Sequence, residues 1–147
     1  MNIAAKNLLQ ASAIMLCAFF TGQLVNSTRA EGTTQVTDQS IKYVGFNELN
    51  EAIATGDSLI LDARSVMTFN KGHIPTAVNL PAQSPATDIQ QVVNRMKQTP
   101  KRVIVYCSDA NCNDSHALAL RLTQAGVENV HIYKEGWEEW EILAPTN

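Results

Sequence analysis

The sequence lacks a basic excess, a low-complexity tract and an apolar run long enough to cross a membrane. It has 11 lysines and arginines against 14 acidic residues in 147 positions, and 45% of its residues are hydrophobic. Without a basic surface to neutralise phosphates, nucleic acids and anionic lipid surfaces are not expected as partners. The length suits one domain with one core.

The first 30 residues differ in composition from the rest. Lys6 is the only charge near the start, residues 8–21 are almost wholly apolar, and residues 22–30 are polar. This order predicts a secretory signal peptide cleaved after Ala30, and therefore an exported, for example periplasmic, protein. A retained membrane anchor is the alternative, although the apolar run is shorter than the roughly 20 residues of a spanning helix.

Cysteine is scarce, with Cys17, Cys107 and Cys112 as its only occurrences. A lipid-modified Cys17 is disfavoured because Leu16 precedes it where a lipoprotein signal has a small residue. Cleavage of the leader removes Cys17 and leaves two closely spaced thiols. Exported proteins occupy compartments in which disulfides persist, so these thiols are expected to pair or to perform redox chemistry.

Alternating strand and helix patterns fill the rest of the chain. Residues 31–40 are polar and are predicted to form a flexible lead-in to a domain at 41–147. Strands are predicted at 41–44, 58–61, 103–106 and 130–133, with helical patterns between them. Such alternation is typical of an α/β fold with a mostly parallel central sheet and helices on both faces.

Helix boundaries are predicted from capping residues. A helix whose apolar positions include Ile89 is expected to be capped by Thr87 or Asp88. A later helix is expected to be capped by Asn113 or Asp114 and to end near Gly126, since glycine is a common C-terminal cap.

The most strand-like segment leads directly into Cys107, at the carboxyl end where parallel sheets place their sites. A loop and a helix follow, with the sequence Cys107, Ser108, Asp109, Ala110, Asn111, Cys112, Asn113, Asp114, Ser115. Backbone N–H groups and a helix N-terminus that converge on a sulfur lower its pKa and can hold a persulfide. A buried structural cysteine is the alternative interpretation of Cys107.

Four segments of the chain form a joint sequence signal. They are residues 61–64 (Leu-Asp-Ala-Arg), residues 72–75 (Gly-His-Ile-Pro) with Ala77, Asn79, Leu80 and Pro81, residues 103–107 (Val-Ile-Val-Tyr-Cys), and Gly136, Trp137 and Trp140. Taken together and in this order, they resemble the rhodanese family of sulfurtransferases. The resemblance implies a rhodanese-like fold and a sulfur-carrying cysteine at Cys107. It implies transfer of sulfane sulfur from a donor, through a persulfide, to a thiol acceptor. The two tryptophans are expected to pack after the last strand.

Asp62, Arg64 and His73 match positions that are usually framework in this family. They are expected to give structural support through a buried ion pair or a hydrogen-bonded turn. His116, on the first turn of a helix, is expected to face solvent, and His131, in a strand, is expected to belong to the framework.

The active-site loop departs from the common family pattern. It contains no arginine, its Ser115 comes late, and Asp109 and Asp114 add negative charge. Without a guanidinium to clamp an oxyanion, thiosulfate turnover, phosphatase activity and arsenate reduction are all disfavoured. A persulfide or thiol, presented by a small molecule or by a protein such as a membrane-bound redox or sulfur-transfer partner, is expected instead.

Cys112 has three interpretations at this point. It could resolve a Cys107 persulfide, form a static crosslink with Cys107, or stay unpaired in the loop. No cofactor is expected, and no metal site is expected, since two thiols without further ligands at the usual spacing do not complete a tetrahedral set.

Three functions therefore remain open for what is expected to be a monomer. The first is an exported sulfurtransferase that uses Cys107. The second is a redox module in which Cys107 and Cys112 cycle between dithiol and disulfide. The third is a binding module that keeps the fold without turnover.

The leader makes the first testable prediction. N-terminal sequencing of protein recovered from the exported fraction should give Glu31 as the first residue, because small residues stand at the expected positions before the cut. Recovery of a chain with intact Met1 in the membrane fraction would contradict it.

Overall fold

The computed structural model describes residues 41–99 and 101–144, so the predicted leader and lead-in at 1–40 lie outside the described residues. The strands are β1 (Lys42–Val44), β2 (Ser58–Asp62), β3 (Val78–Asn79), β4 (Arg102–Tyr106) and β5 (Val130–Tyr133). The helices are α1 (Phe46–Thr55), α2 (Val66–Lys71), α3 (Ala86–Gln98), α4 (Asp114–Gln124) and α5 (Gly136–Leu143).

The five strands form one sheet in the order β1-β5-β4-β2-β3, and every pairing is parallel. Asp62, the last residue of β2, lies opposite Tyr106 of β4 on one side and Asn79 of β3 on the other. Because parallel strands end at the same edge of a sheet, the residues that follow β2 and β4 meet there. Cys107 is the first residue after β4 and therefore lies at that edge.

Each face of the sheet has its own hydrophobic core, because successive side chains of a strand point to opposite sides. In β4, Val103 and Val105 enter one core, whereas Ile104 and Tyr106 enter the other. Helices α3 and α4 supply buried residues to the first core, and α1 and α5 supply them to the second. The predicted α/β class, with a parallel sheet covered on both faces, is confirmed.

Three elements have no counterpart in the sequence prediction. They are α2, β3 and α5. Helix α2 has six residues, none of them buried, and β3 has only two residues. Elements this short or this exposed leave little apolar periodicity in the sequence. The side chain of Ser65 accepts a hydrogen bond from the Thr68 amide at 3.2 Å and so caps α2.

The predicted caps of α3 are wrong by two or three positions. The residue before the helix is Pro85, whose carbonyl accepts hydrogen bonds from the Asp88 and Ile89 amides at 3.1 and 3.4 Å. Thr87 instead donates its hydroxyl hydrogen to the Asp88 carboxylate. Helix α3 begins earlier than predicted because the Pro85 carbonyl accepts its first hydrogen bonds. A proline is tolerated at this position because the N–H that it lacks would have no partner within the helix.

Helix α4 begins where it was predicted to begin, but without a side-chain cap. Asn113 occupies the N-cap position with helical backbone angles, and its side chain makes no capping hydrogen bond. The Asp114 carboxylate accepts a hydrogen bond from the side-chain amide of Gln83 at 3.3 Å. That contact ties the start of α4 to the segment before α3.

No helix in the described part of the chain combines the length and the apolar character that crossing a membrane requires.

The central strand generates a prediction about stability. Ile104 is fully buried, so Ile104→Ala should lower the free energy of unfolding by about 2–5 kcal/mol, measured by urea denaturation. Ile142 is 74% exposed, so Ile142→Ala should change it by less than about 0.5 kcal/mol. Equal effects of the two substitutions would contradict this division between core and surface.

Candidate active site

Two cysteines meet at the carboxyl edge of the sheet. Cys107 and Cys112 form a disulfide, with their Cα atoms 6.1 Å apart. Cys107 is 1% exposed, whereas Cys112 is half-buried. The structure thus shows the paired form of the two thiols, and the unpaired interpretation of Cys112 does not describe it.

The loop between the cysteines is closed by its own polar groups. The Asp109 carboxylate accepts a hydrogen bond from the Asn111 amide at 2.8 Å, and the Asp109 carbonyl accepts one from the Cys112 amide at 3.1 Å. Two of the amides that were predicted to converge on the sulfur are therefore used within the loop. In this disulfide form, the backbone amides of Asn111 and Cys112 stabilise the conformation of the loop.

The other residues predicted for the loop differ in their exposure. Ser108 and Asp114 are half-buried, Ala110 and Asn113 are exposed, and Ser115 is buried. One carboxylate oxygen of Asp114 and the two sulfur atoms all lie within 4.8 Å of one another. Asp114 is therefore the acidic residue of the loop that stands beside both sulfurs.

A buried network lies beneath the loop. Nε and Nη2 of Arg64 donate to the Asp62 carboxylate, the closest contact being 2.6 Å, and both residues are buried. The Tyr106 hydroxyl donates to the same carboxylate at 2.6 Å and accepts a hydrogen bond from the Ile74 amide at 3.1 Å. Asn79 donates to the carbonyls of Asp62 and Arg64. The network joins β2, β3, β4 and the turn after α2.

Burial and pairing shift two pKa values within this network. Burial lowers the pKa of the Arg64 guanidinium, but its hydrogen bonds and charge interaction with Asp62 outweigh burial and raise it overall. Burial raises the pKa of the Tyr106 hydroxyl, and its hydrogen bond to the Asp62 carboxylate raises it further. Arg64 therefore stays charged and Tyr106 stays neutral at physiological pH.

Helix α5 holds the loop through its first amides. The Trp137 amide donates to the Cys107 carbonyl and the Glu138 amide donates to the Ser108 carbonyl, both at 2.9 Å. The Trp137 ring lies over the Arg64 guanidinium, 5.1 Å from its carbon to the ring centroid, in a cation–π contact. Trp137 thus connects the ion pair to the cysteine loop, while Trp140 is buried in the core, as expected of packing residues.

The histidines lie in three different settings. His73 is exposed, stacks on the Phe69 ring at 3.9 Å between centroids, and contacts the Phe69 carbonyl through Nδ1. Its support is therefore local to α2 and separate from the hydrogen bonds of the Asp62 network. His116 is half-buried, which differs from the expected solvent-facing position. His131 is buried in β5, with Nδ1 at 3.2 Å from the Asn129 carbonyl.

Sequence reasoning missed the roles of Tyr106 and Gly136. The signal for Tyr106 was its place at the end of a buried strand, in register with an acidic residue that also ends a strand. Gly136 has φ +69°, and a Cβ there would lie 2.5 Å from the Cys107 carbonyl oxygen. A glycine directly before a tryptophan, after the last strand, was the available signal for this close approach.

Gly136 supplies a prediction with a matched control. Gly136→Ala should destabilise the protein by at least about 2 kcal/mol more than Gly56→Ala, because both have positive φ but a Cβ on Gly56 meets nothing within 4 Å. Urea denaturation gives the stabilities. The rate at which the reduced protein reacts with a thiol reagent should also change for Gly136→Ala but not for Gly56→Ala. An unchanged rate for Gly136→Ala would show that α5 does not shape the loop.

Comparisons with known proteins identify the family of the chain. The family model "Rhodanese-like domain" matches residues 46–143. YibN of Escherichia coli is 30% identical over 101 residues, which cover 68% of this chain and 67% of that protein. A tRNA uridine(34) hydroxylase of Hamiltonella defensa is 26% identical over 101 residues, and the chain spans 28% of its length.

Solved structures show the same fold. The single domain sulfurtransferase RDL2 of Saccharomyces cerevisiae superimposes with a TM-score of 0.60 at 19% identity, over 74% of this chain and 94% of that one. At this identity the likeness concerns the fold, while the family match extends over most of the described residues. On these grounds the chain belongs to the rhodanese-like domain family.

Proposed function

We propose that this chain is an exported sulfurtransferase that carries sulfane sulfur as a persulfide on Cys107 and releases it by attack of Cys112. The observation that carries the proposal is the pairing of the two cysteines at the end of β4. It supports the proposal because a resolving thiol must reach the sulfur bound to the first one.

The first step loads Cys107 in the dithiol form. Its thiolate attacks the outer sulfur of a donor persulfide, R–S–SH. A new S–S bond forms on Cys107, the donor S–S bond breaks, and the donor leaves as RS⁻. Cys107 follows a parallel strand and lies six residues before Asn113, the residue that precedes α4. The N-terminus of that helix favours a thiolate at Cys107.

The second step unloads it. The Cys112 thiolate attacks the sulfur atom of Cys107 itself, the bond to the outer sulfur breaks, and hydrosulfide leaves. The two cysteines are oxidised to a disulfide, and the sulfane sulfur is reduced to sulfide. The disulfide in the structure corresponds to the product of this step.

The charges of the site favour a persulfide donor over an oxyanion. Asp109 and Asp114 stand in the loop, where a dianion would be repelled. Arg64 lies at the same edge of the sheet, but it donates to Asp62 and to the Gly72 carbonyl. Its guanidinium therefore does not replace the arginine that the loop lacks.

The disulfide also favours a second candidate function. A redox module that cycles between dithiol and disulfide would pass through the same paired form without any sulfane sulfur. The two functions differ at one point, which is whether Cys107 ever carries an added sulfur atom.

Two serine variants test the proposal. The reduced protein is mixed without oxygen with glutathione persulfide, and intact mass and released sulfide are followed over time. Cys112→Ser should keep a long-lived adduct of one sulfur on Cys107, because no neighbouring thiol remains to displace it. Cys107→Ser should form no adduct at that position, and the wild type should form the disulfide with one sulfide released per chain.

Ser108→Ala is the matched control, since it changes a neighbouring hydroxyl and keeps both thiols. It should behave as the wild type does. A wild type that closes its disulfide with no sulfur adduct in Cys112→Ser would favour the redox module. A sulfur adduct on Cys112 in the wild type would overturn the assignment of Cys107 as carrier.

A further inference from the structure

The two cysteines of the disulfide differ in their exposure to solvent. Cys107 is 1% exposed, whereas Cys112 is half-buried. An external thiolate opens a disulfide by attacking one of its two sulfurs, and access decides which of them it attacks. The half-buried residue offers the more accessible sulfur.

Helix α5 contributes to the closure over Cys107. The Trp137 amide holds the Cys107 carbonyl, and Gly136 lies so close that a Cβ would come 2.5 Å from the same oxygen. Cys107 also directly follows the fully buried end of β4. Cys112, by contrast, lies in the loop between the exposed residues Asn111 and Asn113.

A carboxylate stands beside the accessible sulfur. Asp114 places one carboxylate oxygen within 4.8 Å of both sulfurs, and the side-chain amide of Gln83 donates a hydrogen bond to that carboxylate at 3.3 Å. At such distances the charge of the Asp114 carboxylate acts on the charge of a reactant that approaches the sulfur. The field therefore attracts a positively charged reactant and repels a negatively charged one.

We propose that Cys112 is the sulfur that an external thiol attacks to reopen the disulfide, and that Asp114 makes this step select thiols with a positive charge near their sulfur. The step regenerates the dithiol form, so its place in a catalytic cycle rests on the proposed function. Its chemistry needs no sulfane sulfur.

The reaction balances with two equivalents of thiol. The thiolate RS⁻ forms a bond to the Cys112 sulfur, the disulfide bond breaks, and Cys107 leaves as a thiolate. A second RS⁻ attacks the external sulfur of the mixed disulfide, which gives RSSR and the Cys112 thiolate. Two electrons pass from the two thiols to the protein disulfide, and the protons of the two thiols go to the two cysteine thiolates.

Three small thiols of different charge test the selectivity: cysteamine, 2-mercaptoethanol and 3-mercaptopropionate. The opening rate of the wild-type disulfide is measured for each by rapid quench and intact mass. Each rate is divided by the rate of the same thiol with 2-hydroxyethyl disulfide, which removes differences in thiol pKa and nucleophilicity. The corrected rate should be roughly tenfold higher for cysteamine than for 3-mercaptopropionate at low salt, and the ratio should fall as salt rises.

Asp114→Asn removes the charge with little change in shape and should lower that ratio at least about threefold. Asp57→Asn is the matched control, because Asp57 is exposed and precedes β2 at the opposite edge of the sheet. It should leave the ratio unchanged. An equal effect of both substitutions, or no effect of Asp114→Asn, would overturn the role of Asp114.

The site of attack is read from the trapped intermediate. The wild-type reaction with limited cysteamine is quenched by rapid alkylation, and fragmentation of the peptide that spans residues 103–121 locates both groups. Cysteamine should be on Cys112 and the alkyl group on Cys107. The reverse placement would overturn the proposal. Since no persulfide is present, failure here is distinguishable from failure of the sulfurtransferase function.

Discussion

Asp62 and Arg64 bring a pair of full charges into the interior, at the edge of the sheet where the cysteine loop begins. A buried charge without partners costs several kcal/mol, so these two groups require the polar contacts that surround them. The partners come from separate segments: the Tyr106 hydroxyl from β4 and the Gly72 carbonyl from the turn after α2. Arg64 also contacts Trp137, whose amide holds the Cys107 carbonyl. The ion pair therefore orients the loop through a chain of contacts.

The sequence predicted the elements that the two cores require, apart from α5. The continuous apolar runs at 58–61, 103–106 and 130–133 are strands of the sheet, because strands buried on both faces must be apolar throughout. The place of Cys107 followed from the rule that parallel strands end at one edge. Helix α2 and the choice of Pro85 before α3 could not be predicted in this way, since neither depends on a buried apolar pattern.

The candidate site was predicted less completely than the fold. Its residues were identified from the loop sequence, but the curvature that brings Cys112 back to Cys107 depends on which hydrogen bonds the loop makes. Asp109 closes the turn by accepting the Asn111 amide. Residue types alone did not say whether that amide would face the sulfur or the neighbouring carboxylate. The aspartates thus set both the shape of the loop and the charge of its surroundings.

The disulfide also has a consequence for folding. It joins residues only five positions apart, so it closes one of the smaller loops that a crosslink can form. On the chain-entropy model, a loop of this size restricts the unfolded chain by about 2 kcal/mol, less than a crosslink between distant segments would. The two hydrophobic cores on either side of the sheet then stabilise the domain. The disulfide can therefore open locally, without cooperative unfolding of the domain.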